Sequence, residues 1–195
     1  MTEISAKKRK LEPLQITCSS TDCDNGLHCF HRTKKLRVTY DGKSCRYCGD
    51  ELVDWTRVRM RSLSDVTHTF EALKNEYWRH YYWHVEIDLK ALNHARRKGK
   101  LGMKIAAEKR IRAAVGSANP YRDGSQTPRN GNLLYYAQHA TAACCRTCIE
   151  HWHGIPQGQP LTNEQIDYFT KLLMLYINER LPNLTETGEY IPRIC

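Results

Sequence analysis

No apolar run in the 195-residue chain comes near the roughly 20 residues that a membrane-spanning helix requires, so a membrane partner is not expected. The opening MTEISAKKRKLEP is basic but has no apolar core behind it, so no secretory leader is expected either. Internal repeats are missing, as are low-complexity tracts beyond that basic start, which sets repeat architectures aside. Carboxylates are in short supply: 21 Asp and Glu stand against 30 Lys and Arg, a formal net charge of +9. A surplus of that size is the ordinary mark of an acidic partner, above all nucleic acid. It is concentrated in residues 56–122, which hold Arg57, Arg59, Arg61, Arg96, Arg97, Lys98, Lys100, Lys104 and further bases against few acids. KKRK near the start reads as a solvated tail more readily than as a nuclear address. With 41% hydrophobic residues and a mean hydropathy of −0.65, the chain reads as a polar globular protein of the cytoplasm.

What is abundant is cysteine, with nine residues, mostly in pairs. With no secretory leader expected, paired cysteines point to metal binding rather than to a disulfide framework. The odd total leaves at least one outside any paired scheme, and Cys195 is the natural outsider.

The chain is expected to be mainly α, a helical domain with a small N-terminal zinc-ribbon or treble-clef-like module. Residues 1–13 read as a basic flexible tail. Residues 14–54, rich in Cys, Gly and turn residues with one strand-like run, KLRVTYDG, read as a zinc-knuckle module that buries too little to stand unaided. Residues 55–195 read as the helical domain with a second Cys/His cluster. From Ser64, apolar residues Val66, Phe70, Leu73, Tyr77, Tyr81, Val85, Leu89 and Leu92 recur at helical spacing, which predicts one long helix ended by Gly99 and Gly102. A second helix is predicted over 103–115 and a third over 133–149. A fourth starts at Thr162, whose hydroxyl and Gln165 form a capping box, and runs to Pro182.

Cys45-Arg-Tyr-Cys48-Gly49 is a knuckle, two thiolates three residues apart over a turning glycine. The expected completing pair is Cys23 and Cys29, with His28 as the substitute. Residues 139–153, HATAACCRTCIEHWH, pack three cysteines and three histidines into fifteen positions. Short spacings of N and S donors match tetrahedral zinc better than iron or copper, so two zinc ions are expected. The preferred second set is His139, Cys145, Cys148 and His153, with Cys144 and His151 in reserve. The competing reading makes the histidines hydrogen-bonded core residues and the cysteines small apolar packing groups. A zinc deaminase would need His-x-Glu and a proline before the first cysteine; Thr141 and Cys144 stand in those places. His80 and His84, an i, i+4 pair with Glu76 a turn earlier, form half of a metal site at most and read more simply as an aromatic helix face.

DGSQTP, AQHATAACCRTCIEHWHGIPQGQPLT and YINERL resemble a bacterial family, the domain-of-unknown-function family 4186. The resemblance covers roughly residues 99–181 and rests on Asp123, Gly124, Gln126, Thr127, Pro128, Gln138, His139, Cys144, Cys145, Arg146, Cys148, Trp152 and His153. It implies a coupled loop and metal cluster and supplies no activity. Where the family has a histidine in the helix before the loop, this chain has Ala106.

Two function classes follow. In the first, the zincs staple a nucleic-acid-binding protein in which Arg96, Arg97, Lys98, Lys100, Lys104, Arg122 and Arg129 neutralise phosphates. Aromatics among Tyr77, Trp78, Tyr81, Tyr82 and Trp83 that are not core would stack on bases. Such a chain suits a larger complex with protein partners, for example a bacterial defence or mobile-element assembly. In the second, a zinc-dependent hydrolase of nucleic acids or nucleotides uses Asp123 and Gln126 of the long YRDGSQTP loop beside the metal. Filled tetrahedral sites are structural, which favours the first.

Overall fold

The computed structural model describes residues 16–31, 42–122 and 124–192. Among these, the regular structure is helical. α1 spans Trp55–Met60, α2 Val66–Leu73, α3 Tyr77–His84, α4 Leu89–Val115, α5 Leu133–Ala140, α6 Arg146–His153 and α7 Asn163–Arg180. The chain is mainly α, with Cys/His groups that include the N-terminal knuckle. Most of the strand-like run lies outside the described residues.

α7 begins as its capping box requires. The Thr162 hydroxyl accepts from Gln165 N at 3.3 Å, and Gln165 Oε1 accepts from Thr162 N at 3.0 Å, satisfying two backbone donors that helix geometry strands. Ile166, Phe169, Leu173, Tyr176 and Ile177 then fall on one stripe and bury it, and α7 packs against α2, α4 and α5. Tyr176 OH and Arg180 Nη1 both donate to Tyr82 O at 2.8 Å, fixing the end of α7 to α3.

The long helix expected from Ser64 is three elements instead. After α2 the backbone turns at residues 74–76, and His28 enters the gap: His28 N donates to Asn75 O at 2.8 Å and Tyr77 N donates to His28 O at 2.9 Å. A second interruption at residues 85–88 ends in Asp88, which caps α4 by accepting from Ala91 N at 2.9 Å. Its other oxygen accepts from Gly131 N at 2.7 Å and Tyr136 OH at 2.9 Å. The changed phase explains why Trp78, Tyr82 and Trp83 are the buried aromatics of α3 while Tyr77 and Tyr81 are only partly so.

Gly99 breaks α4 without ending it, and Gly102 continues it. Gly99 has φ 63° and ψ 178°, a conformation that a Cβ would strain. The C-terminal segment closes the break. Lys100 N donates to Thr185 O at 2.8 Å, Leu101 N to Glu186 O at 3.1 Å, and Glu189 N to Arg96 O at 2.9 Å. The contact is too close for a larger residue, since a Cβ on Gly99 would stand 2.4 Å from Thr187 C.

The predicted helix over 133–149 is likewise two. α5 ends at Ala140, Ala142 takes φ 54°, and α6 starts with Cys145 as its N-cap. Two buried clusters result. One runs through α2 to α5 and α7. The other joins Phe30 of the knuckle segment to Trp55, Val58, Leu73, Cys144, Cys145, Cys148 and Trp152. Phe30 meets Trp55 and Trp152 edge-on at 5.7 and 5.9 Å. Fully buried aromatics of this kind are each worth about 3–5 kcal/mol against truncation to alanine.

Candidate metal centres

Cys23, His28, Cys45 and Cys48 bring one donor atom each within 4.8 Å of one another. Cys23 Sγ and Cys45 Sγ are 3.7 Å apart, and Cys48 Sγ lies 3.3 Å from His28 Nδ1. Separations of this size would let the four donors share one small ion. Cys23 opens a 3-10 turn, Cys23–Asn25, and Gly49 lets the chain turn after Cys48 with φ 86°. Burial works to raise the Cys45 thiol, but backbone N–H groups of Cys48, Cys29 and Tyr47 together with the His28 side chain bring it down to about 6. That environment favours a thiolate, the form that binds metal.

His28, named as the substitute, is in this group, and Cys29 is not. The segment is extended where His28 bridges to Glu76, so successive side chains leave on opposite sides. His28 faces the other donors, and Cys29 is buried with its thiol donating to Cys18 O at 3.5 Å.

The second group is Cys144, Cys145 and Cys148, again within 4.8 Å of one another. All three are buried, at 4–6% exposure, so bulk water is kept from them. The Cys145 thiol caps α6 by accepting from Cys148 N at 3.5 Å. Arg79, itself buried, donates to Cys148 Sγ at 3.2 Å and Cys144 Sγ at 3.7 Å, and to His139 O at 2.8 Å. Its Nε donates to Glu76 Oε2 at 2.8 Å, an oxygen that also accepts from Trp152 Nε1 at 2.7 Å. Hydrogen bonds with Cys145 and Cys148, followed by the Arg79 guanidinium, hold the Cys144 thiol well below the ordinary range. A buried cation aimed at sulfur is the outer shell expected of metal-bound thiolates.

The two outer histidines of the expected set stand elsewhere. His153 is wholly buried and spends both nitrogens inside the fold, 3.2 Å from Tyr168 OH and 3.1 Å from Thr141 O. Burial, outweighing its partners, pushes it down to about 3, so it is a neutral core imidazole. His139 sits on α5, separated from Cys145 by the Ala142 turn. Its ring stacks on Tyr82 at 4.5 Å and its Nε2 is 3.2 Å from Pro128 O. His151 lies against Trp55 at 5.6 Å, outside the group. Cys144, held in reserve, is inside it. His80 and His84 stack on each other at 4.0 Å, and Glu76 turns inward to Arg79 instead of toward them.

The loop after α4 is tied to this centre. Thr127 Oγ1 donates to Cys144 O at 2.8 Å, and Arg110 joins Gln126 O at 2.7 Å to Gln138 Oε1 at 2.9 Å. Gln126 Oε1 accepts from Gly124 N at 3.1 Å, bracing the turn. Asp123 lies outside the described residues. Among the bases, Arg96, Arg97, Lys98 and Lys104 are exposed on α4, Lys100 pairs with Glu186 at 3.6 Å, and Arg122 and Arg129 lie over Tyr121 and Trp78.

Residues 67–178, more than half of the chain, match the family described as Domain of unknown function (DUF4186). The chain belongs to the DUF4186 family. No solved structure matches it. The match encloses Arg79 and all three cysteines of the buried group, whereas Cys23, His28, Cys45 and Cys48 precede it. The DUF4186 domain therefore carries one candidate metal centre, and the knuckle segment adds another.

Arg79 is not marked by the sequence because an Arg on a helix is ordinarily a surface residue, and Glu76, expected beside His80 and His84, turns to Arg79 instead. The signal that exposes them is Arg79 and Glu76 at i, i+3 among aromatics, a pair that buries only as a unit.

Proposed function

We propose that the chain is a zinc-stapled nucleic-acid-binding protein. Zinc suits the donors: three thiolates and an imidazole in the knuckle and a thiolate group in the buried centre, at tetrahedral spacing. The observation that supports a nucleic-acid partner is the outer face of α4. Arg96, Arg97, Lys98, Lys104 and Lys109 are exposed there and make no ion pair among the described residues. Cations left unpaired on one helix maintain a positive potential, which His94 registers: after burial, Lys98 and Arg97 lower its pKa. Binding is favoured over catalysis by the buried centre's closure, since a substrate has no approach to Cys144, Cys145 and Cys148 at 4–6% exposure.

The test is affinity across a salt series for single- and double-stranded DNA and RNA, comparing wild type with Arg96→Ala/Arg97→Ala/Lys98→Ala. Each phosphate contact on duplex DNA adds about 0.9 to the slope of log affinity against log salt, so the variant's slope should flatten by roughly 2 to 3. An unchanged slope would refute the assignment of this face.

A further inference from the structure

We infer that the nucleic acid bound along α4 is single-stranded, and that Tyr190 is the platform on which one of its bases stacks. The inference rests on the nucleic-acid reading of this face and goes further, to the kind of strand. Tyr190 is 94% exposed, the most exposed large hydrophobic residue of those described. A ring left in water adds nothing to the core, so its use lies in its neighbours. The backbone fixes which neighbours these are. Glu189 N donates to Arg96 O at 2.9 Å, and Gly188 lies so close to α4 that a Cβ on it would collide with Arg97 O. The residue before Tyr190 is thus fastened to the turn of α4 that carries Arg96, Arg97 and Lys98, beside the Gly99 break.

Two recesses open beside this C-terminal segment, with Glu189 lining both. One, of about 460 Å³, is lined also by Arg97, Tyr190, Ile191 and Pro192. The other, of about 270 Å³, has Arg96 and Arg180 against the apolar Leu181 and Leu184. The first falls within the roughly 300–1,000 Å³ of pockets that take small organic groups, room enough for a nucleobase. Arg180 donates to Tyr82 O, Trp83 O and Val85 O and is in no ion pair among the described residues, so its charge adds to that of Arg96.

A cationic surface that tracks a backbone, joined to an exposed aromatic face, is the arrangement that holds single strands. In a duplex the base faces are already stacked on one another, and reaching one means unstacking a step. Glu189 sorts the two ends of a nucleotide. Its carboxylate, which accepts from Thr185 Oγ1 at 3.1 Å, repels a phosphate and can accept from the amino group of a base. The phosphates therefore belong over Arg96, Arg97 and Lys98, and a base belongs between Glu189 and Tyr190.

The experiment measures the affinity of the full chain for oligothymidine, oligouridine and a DNA duplex of matched charge across a salt series. Wild type should favour a single strand over the duplex, and whichever single strand binds tighter assigns the site to DNA or to RNA. Tyr190→Ala should weaken that strand by roughly 5- to 150-fold, the loss of one base stacked on an aromatic ring, and leave the duplex as it was. Its salt slope should match wild type, because a ring releases no counterions, in contrast to Arg96→Ala/Arg97→Ala/Lys98→Ala. Tyr190→Trp should keep the affinity, and the strand should quench the emission of the added indole. A wild type that binds neither strand nor duplex would overturn the nucleic-acid reading and this inference with it. A wild type whose slope flattens in the triple variant, with Tyr190→Ala holding single strands as tightly as before, would overturn the inference alone. So would a preference for the duplex, or an indole that the strand leaves unquenched.

Discussion

Arg79→Met removes the cation that donates to Cys144 and Cys148 while keeping most of the volume. Both Arg79 and Glu76 side chains are 2% exposed, so solvent does not screen the pair. The change deletes hydrogen bonds to Glu76 Oε2, His139 O, Cys144 Sγ and Cys148 Sγ, and leaves the Glu76 carboxylate with Trp152 Nε1 as its donor among the described residues. Stranding one member of a buried ion pair costs about 3–5 kcal/mol, a large share of the roughly 5–15 kcal/mol by which a domain of this kind is stable. The thiolates also lose their donor, so metal affinity at the buried centre should fall by about 10–100-fold. Urea unfolding of zinc-loaded protein, with chelator competition in parallel, measures both. The logic is checked by Arg79→Met/Glu76→Gln. If the cost comes from an uncompensated carboxylate, neutralising Glu76 should recover part of it, giving a coupling the two single changes do not sum to. A loss below about 1 kcal/mol for Arg79→Met, or a double variant as unstable as the simple sum, would refute the reasoning.

His153→Phe should leave metal content unchanged but cost about 1–3 kcal/mol, because Thr141 O and Tyr168 OH lose a buried partner; a lost ion would return His153 to the ligand set. His153 titrates at about 3 in the fold against an ordinary 6.5, so the unfolded chain binds the extra proton first. Its stabilisation should be complete above pH 6.5 and lost as pH falls toward 3, an acid-limb contribution that His153→Phe should remove from the stability profile. Gly99→Ala places a Cβ 2.4 Å from Thr187 C at φ 63°, so the segment 185–189 should detach, seen as faster proteolysis there and a cost of about 1–3 kcal/mol; unaltered proteolysis would show that the break tolerates a side chain.

Much of this molecule is legible in local signals. Thr162 and Gln165 announce the start of α7, the CxxC at Cys45 and Cys48 announces a knuckle, and the Cys144–Cys148 run announces a second thiol group. Each depends on residues close in sequence. What escaped depends on one residue's backbone or on distant partners. The Ala142 turn, φ 54°, is invisible in an Ala-rich stretch that favours helix, yet it separates His139 from Cys145 and hands the N-cap to a cysteine. His28 and Cys29 are equally good ligands on paper; which one faces the other donors is decided by the alternation of an extended segment pinned at Asn75 and Tyr77. The apolar period from Ser64 runs across two interruptions because a break of a few residues shifts the buried face without erasing it.

The knuckle is accordingly more than an appendage to the family domain. His28 contributes a ring to one centre and a backbone N–H and C=O to the gap between α2 and α3. The next residue beyond that gap's carbonyl acceptor is Glu76, which holds Arg79, which in turn holds Cys144 and Cys148 of the other centre. Phe30, two residues after His28, fills the aromatic cluster whose Trp152 also donates to Glu76. The two centres are thus joined by a short run of hydrogen bonds and by one packed cluster, both buried where each bond is stronger than in water. An ion bound at either place would order groups that the other needs, which would make the pair of candidate centres and the seam between them one energetic unit. α4 presents a different surface: Arg96, Arg97, Lys98, Lys104 and Lys109 are exposed there with no ion pair among the described residues, a surplus that maintains a positive potential.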